Sequence, residues 1–296
     1  MSRRIIAAVA AASVATSPLL AQAGSVGINA AVRNKVQIRG AATKKMRPAV
    51  LRERVFLNDE VNTGAASQLQ ILLLDRTTFT VGANARVAVD RFVYDPAANS
   101  RSTGVSVTRG AFRFMSGRSL GKPSGPVSVR TPVATIGVRG TIFEGVVGAD
   151  AIRIAGREPA VGRKVKAKES EASLIVLRGP GPRTQGDTRP GAIDVTVGAS
   201  QVTLDRPGLA LYAPRVGAPP IGPFQISADG LMALQSLLRT TAEPGGGGGK
   251  GKSGKGDALL GAAGVAAVVG GAIILGGKKK RRDGQQPQGN KSPNSP

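Results

Sequence analysis

Residues 131–145 read TPVATIGVRGTIFEG. The stretch is strand-like, yet it carries Gly137 and Gly140 beside an arginine and two threonines. With period two, Ala134, Ile136, Val138, Ile142 and, just beyond, Val146 share one face, while Thr135, Arg139 and Thr141 share the other. Gly140 interrupts the apolar face. A glycine inside a strand marks a bulge, a bend or the close approach of another backbone, because it lacks the Cβ that obstructs all three. The expectation is a tightly bent strand pair, with a ligand face built from Thr135, Arg139 and Thr141 as the competing reading.

Outward from this stretch, short runs with period-two patterning recur about every eight to twelve residues between Gly, Asp, Asn and Pro. Upstream they are VGINAAV, KVQIRG, RVFLNDEV, SQLQILLLD, TTFTVG, ARVAVDRFVYD, GVSVTRG, AFRFMSG and PVSVRT. Downstream they are AIRIAG, ASLIVLRG, GAIDVTVGAS, QVTLDRPG and LALYAP. Leu69, Ile71 and Leu73, then Phe79 and Val81, then Val87 and Val89 read as successive strands lining one core. The fold class expected is all-β, with many short strands stacked or packed as a sandwich. No helical period appears before about residue 228, where Leu231, Leu234, Leu237 and Leu238 predict a short amphipathic helix after the Pro-rich connector PRVGAPPIGPF.

The two ends carry different signals. Residues 1–23 have a basic start at Arg3 and Arg4, an apolar stretch of small residues, and Ala21-Gln22-Ala23 before Gly24. This is the pattern of a signal peptide cleaved between Ala23 and Gly24. Residues 258–277, ALLGAAGVAAVVGGAIILGG, hold no charge and are followed by Lys278, Lys279, Lys280, Arg281 and Arg282. The length suits one bilayer crossing, and the basic cluster places the C-terminus in the cytoplasm. The expected location is a periplasmic domain with a C-terminal inner-membrane anchor. The six glycines and six alanines of the span leave a second reading, a packing segment for self-association in an envelope assembly protein.

Of 41 basic and 18 acidic residues, 30 and 15 fall between Gly24 and Ala242, so the exported part is strongly basic. Outside the cytoplasm its natural partners are an envelope protein or an anionic envelope component. Seven phenylalanines, two tyrosines and no tryptophan argue against a platform for stacking bases or sugars, and so against nucleic acid. Cysteine and histidine are absent, which removes thiol chemistry, the commonest general base and the commonest metal ligand. Asp59, Glu60, Asp75 and Asp90 sit at strand ends or turns, where aspartate closes turns through its backbone. No catalytic, cofactor or metal residue is therefore assigned. GGGGKGKS at 246–253 fits a phosphate-loop pattern, but neither a strand nor a helix can frame it, so it reads as a basic linker and no nucleotide site is expected.

The motifs resemble those of the FecR-like domain family, the periplasmic domain of ferric-citrate-type sensors. They occur in order: Asp59-Glu60-Val61, Thr63-Gly64, LQILLLD ending at Asp75, then Gly110 with Phe112 and Phe114. The block Thr131-Pro132, Ala134, Ile136 to Thr141 and Phe143 completes them. The resemblance implies a non-catalytic all-β domain used for sensing or binding at the envelope. Thr131, Thr135, Gly137, Arg139, Gly140 and Thr141 are the candidate motif or ligand-face residues. Two departures stand out: Arg76 follows Asp75 where the family usually has glycine, and a signal peptide replaces the N-terminal anti-sigma segment. The expected organisation is a FecR-like domain at 24–155, a basic loop at 156–170, a β extension at 171–226 and a helix at 227–242. A Gly/Lys-rich linker at 243–257, the span at 258–277 and a basic tail at 278–296 follow.

Overall fold

A computed structural model describes residues 24–95, 97, 98, 100–117, 125–179 and 191–239. The expected signal peptide, phosphate-loop-like linker, membrane span and basic tail lie outside the described residues. Among those residues no helix is long and apolar enough to cross a membrane.

The strands form two sheets. The first runs, in spatial order, β4 (Arg54–Phe56), β1 (Ser25–Arg33), β6 (Gln68–Leu73), β7 (Thr78–Val81) and the C-terminal part of β9 (Ser100–Met115). It continues through β12 (Ile142–Val147), β13 (Ser173–Gly179), β16 (Leu209–Ala213) and β17 (Ile221–Gln225), antiparallel throughout. The second runs β3 (Met46–Pro48), β2 (Val36–Arg39), β5 (Glu60–Thr63), β8 (Arg86–Asp95) and the N-terminal part of β9. Beyond β9 come β10 (Val127–Arg130), β11 (Thr135–Arg139), β14 (Ala192–Val197) and β15 (Ser200–Leu204), with only the β9–β10 pair parallel.

Inward residues of both sheets meet in one buried cluster, which includes Leu69, Ile71, Leu73, Phe79, Val81, Val87 and Val89 as the alternation predicts. Four phenylalanines of the first sheet, Phe79, Phe112, Phe114 and Phe143, interlock at its centre with ring centroids 5.5 to 6.3 Å apart. Each such pair contributes about 0.5–1.5 kcal/mol beyond its buried area. A second cluster lies on the opposite face of the first sheet, where Val146, Leu174, Val176 and Tyr212 pack against α1 (Ala149–Ala155) and α2 (Ala228–Leu238). Leu174 to Leu177 of β13 and Leu209 to Ala213 of β16 are buried on both faces, which is why these stretches read as continuous apolar runs.

The structure corrects several strand boundaries. AIRIAG is helical: Ala151, Ile154 and Ala155, spaced three and four apart, form the buried side of α1. The runs at 104–110 and 111–117 belong to one strand, β9, which passes from the second sheet to the first near Gly110. RVFLNDEV is two strands, because Asp59 accepts from the Phe56 N–H at 3.1 Å and from the Ala41 N–H at 2.9 Å and closes a turn between them. The Pro-rich connector contains β17, which among the described residues pairs only with β16, an edge position that tolerates Pro223. Helix α2 forms where expected, with Ser227 Oγ accepting from the Gly230 N–H at 3.0 Å and Leu234 and Leu238 buried.

Candidate ligand-binding face

The 131–145 stretch does not lie in one sheet. Thr131 sits in the β10–β11 loop, where its Oγ1 accepts from the Ala134 N–H at 3.1 Å and from Ser173 Oγ at 3.0 Å. Strand β11 follows in the second sheet. Gly140 then takes φ +57°, a left-handed conformation that non-glycine residues adopt at a cost, and the chain enters β12 of the first sheet. This turn resets the side-chain alternation. Ala134 and Ile136 point into the sandwich, but beyond Gly140 it is Phe143 and Val147 that do so, while Val146 joins the helix-side cluster. Thr141 is fully buried; its N–H donates to Ser116 Oγ at 3.2 Å and its Oγ1 to the Gly179 carbonyl at 3.0 Å. Of the three residues of the predicted ligand face, Thr135 and Arg139 are exposed on the outer face of the second sheet and Thr141 is not.

That outer face is polar across its width. One row of neighbours runs Ser106, Arg130, Thr135, Thr196 and Gln201; the next runs Gly104, Ser128, Gly137, Asp194 and Thr203. Two similar clusters stand beside the Gly104-Ser128-Gly137 strip. On one side Asp194 Oδ1 accepts from Arg139 Nη2 at 2.8 Å and from Thr203 Oγ1 at 2.6 Å. On the other, Asp90 Oδ2 accepts from Arg130 Nη2 at 2.6 Å and from Ser106 Oγ. Asp90 Oδ1 is buried and has no hydrogen-bond partner among the described residues. Both arginines are about half exposed. Ion pairs in such positions are worth about 0–1 kcal/mol, so either can open toward an external group at small cost.

Several other carboxylates are engaged in the fold. Asp75 accepts from Thr77 and from Arg101 Nε, both within 2.9 Å. Glu60 bridges Arg39 and Arg86. Sequence reasoning missed Glu144, which is buried on the opposite face of the first sheet and accepts from Arg113 Nε at 2.8 Å, with Arg178 Nε 3.7 Å from its second oxygen. It also missed Glu158. That carboxylate lies within the expected basic loop and accepts from the Ser227 N–H at 2.9 Å and from Ser227 Oγ at 2.8 Å, fastening the loop to the start of α2. Glu171 is held below the usual carboxylate range, first by the Lys168 ammonium and then by the Val216 N–H. A groove of about 320 Å³ opens where this loop meets the second sheet, lined by Asn62, Asn84, Arg86, Thr108, Arg109 and Glu169 among others.

The fold is that of an all-β sandwich domain with two short helices packed on one sheet. Residues 59–162 match the sequence model of the family described as FecR protein, in agreement with the resemblance of the motifs. The matched segment supplies β5 to β12, the centre of both sheets, while β1 to β4 extend the sheets at one end and β13 to β17 at the other. Two crystal structures of a candidate anti-sigma factor from Parabacteroides distasonis ATCC 8503 are similar at 16% and 17% identity, with TM-scores of 0.35 and 0.34. The alignment covers 55% of this chain and 57% of that one, so this chain spans little more than half the length of that protein. No curated protein matches the sequence at comparable significance.

Proposed function

We propose that the chain is an exported, non-catalytic binding domain of the envelope, tethered to the inner membrane by Ala258–Gly277, that engages an envelope protein or an anionic envelope component. The contact surface is the outer face of the second sheet, around Thr135, Gly137 and Arg139. The observation that carries this reading is the pair of exposed Arg–Asp–hydroxyl clusters beside the Gly104-Ser128-Gly137 strip. Glycine and serine keep the strip low, and the flanking arginines can exchange an internal carboxylate for an external anion or carbonyl at little cost. The lack of histidine and cysteine, with the carboxylates spread over separate elements, supports binding rather than catalysis.

Reporter fusions test the topology. Alkaline phosphatase fused after Pro296 is expected to be inactive and a cytoplasm-dependent fluorescent protein bright, with the mature chain beginning at Gly24. Active phosphatase at that position would put the C-terminus outside and reject the anchor.

A further inference from the structure

One end of the sandwich is formed by β3 and β4, each of which pairs with a single neighbour among the described residues. The strip from Lys44 to Phe56, KKMRPAVLRERVF, covers this edge and combines two features rarely exposed together. Val50 and Leu51 are 58% and 55% exposed, with Met46 and Phe56 also outside. Lys44, Lys45, Arg52 and Arg54 are exposed beside them, and the one acid of the strip, Glu53, is paired with Arg47.

The exposure is built in. Val55 is buried in the core and Ala49 packs against it. Buried Asn29 donates to the Val50 carbonyl at 3.0 Å, and its own carbonyl accepts from the Arg52 N–H at 2.8 Å. The loop is thus pinned to β1 with its aliphatic tip outward. From this we infer that the edge strip docks on an anionic phospholipid bilayer surface, with Val50 and Leu51 entering the headgroup region and the four cations meeting lipid phosphates. Apolar burial and cation attraction add in such a surface contact, and each lysine or arginine contributes about 1 kcal/mol near an anionic leaflet. Charge argues against a second copy on the same edge, since the two strips would bring like charge together.

The chain contains no tryptophan, so Leu51→Trp supplies a single reporter. Full-length protein carrying it, reconstituted into phosphatidylglycerol-containing vesicles or added to them, is expected to show a blue-shifted emission that brominated acyl chains quench. Vesicles of phosphatidylcholine alone give neither change. Replacing Arg52 and Arg54 by glutamine lowers the docked-to-free ratio about fivefold per charge. Met232→Trp, at a 60% exposed position on α2, stays unshifted. Equal emission at residue 51 in both lipids, or an equal response at residue 232, would overturn the proposal. Agreement between the inserted and added forms keeps the outcome independent of the proposed anchor.

Discussion

Asp75 Oδ2 accepts from Arg101 Nε at 2.7 Å, and the two side chains are 1% and 8% exposed. Thr77 completes the group, donating to the carboxylate at 2.9 Å and accepting from Arg101 Nη2 at 2.8 Å. The pair ties the β6–β7 hairpin of the first sheet to the start of β9 in the second. Breaking a buried pair leaves a charge without compensation, so Arg101→Met is expected to cost about 3–5 kcal/mol. Asp75→Asn added to Arg101→Met should recover part of that loss, read from denaturant midpoints.

Gly140 and Gly145 should fail differently when replaced. A Cβ on Gly140 meets nothing within 4 Å, so only its φ of +57° opposes a side chain. Gly140→Val is expected to cost about 1–3 kcal/mol and Gly140→Asn distinctly less, because asparagine tolerates the left-handed region. At Gly145 a Cβ would lie 2.5 Å from the Phe112 ring, so Gly145→Val displaces the phenylalanine cluster and should be the more damaging change. Thermal melts of the three variants give the order.

Arg76 occupies the third position of the Leu74-Asp75-Arg76 hairpin loop with φ +64° and an exposed side chain. Its N–H donates to the Leu73 carbonyl at 2.9 Å, and the Leu73 N–H to the Thr77 carbonyl at 2.9 Å, the pattern of a type I turn followed by a left-handed residue. Glycine adopts that conformation freely, while its greater unfolded-state entropy offsets part of the gain. Arg76→Gly should therefore stabilise the domain by about 0.5–1 kcal/mol in equilibrium unfolding.

Burial beneath the helices pushes the Tyr212 phenol up from 10 to about 12. A raised folded pKa means that the native state holds its proton where the unfolded chain has lost it. This contribution is complete below pH 10 and disappears as the pH rises through about 12. Melting temperature should fall across that window, and Tyr212→Phe should flatten the fall.

The sandwich core was legible because Leu69 to Val89 keep strict alternation, and α2 because its leucines keep a helical period. Past Gly140 the alternation misled, since one left-handed residue exchanges the two faces of everything that follows, and Thr141 turned inward. Helix α1 was missed because seven residues give too little period to separate Ile152 and Ile154 from strand alternation. The partner of Arg139 is Asp194, 55 residues away in β14, a pairing that depends on sheet register and has no local signal.

In-cell photo-cross-linking tests the binding face most directly. A benzophenone amino acid at Thr135 or Thr196, both exposed on the second sheet, is placed in the full-length chain, with Met232 on α2 as the reference position. Adducts to an envelope component at 135 and 196, weakened when Arg139→Glu and Asp194→Arg exchange the charges of the face, are the predicted result. Adducts at 232 with none at 135 or 196, in protein that melts normally, would contradict it.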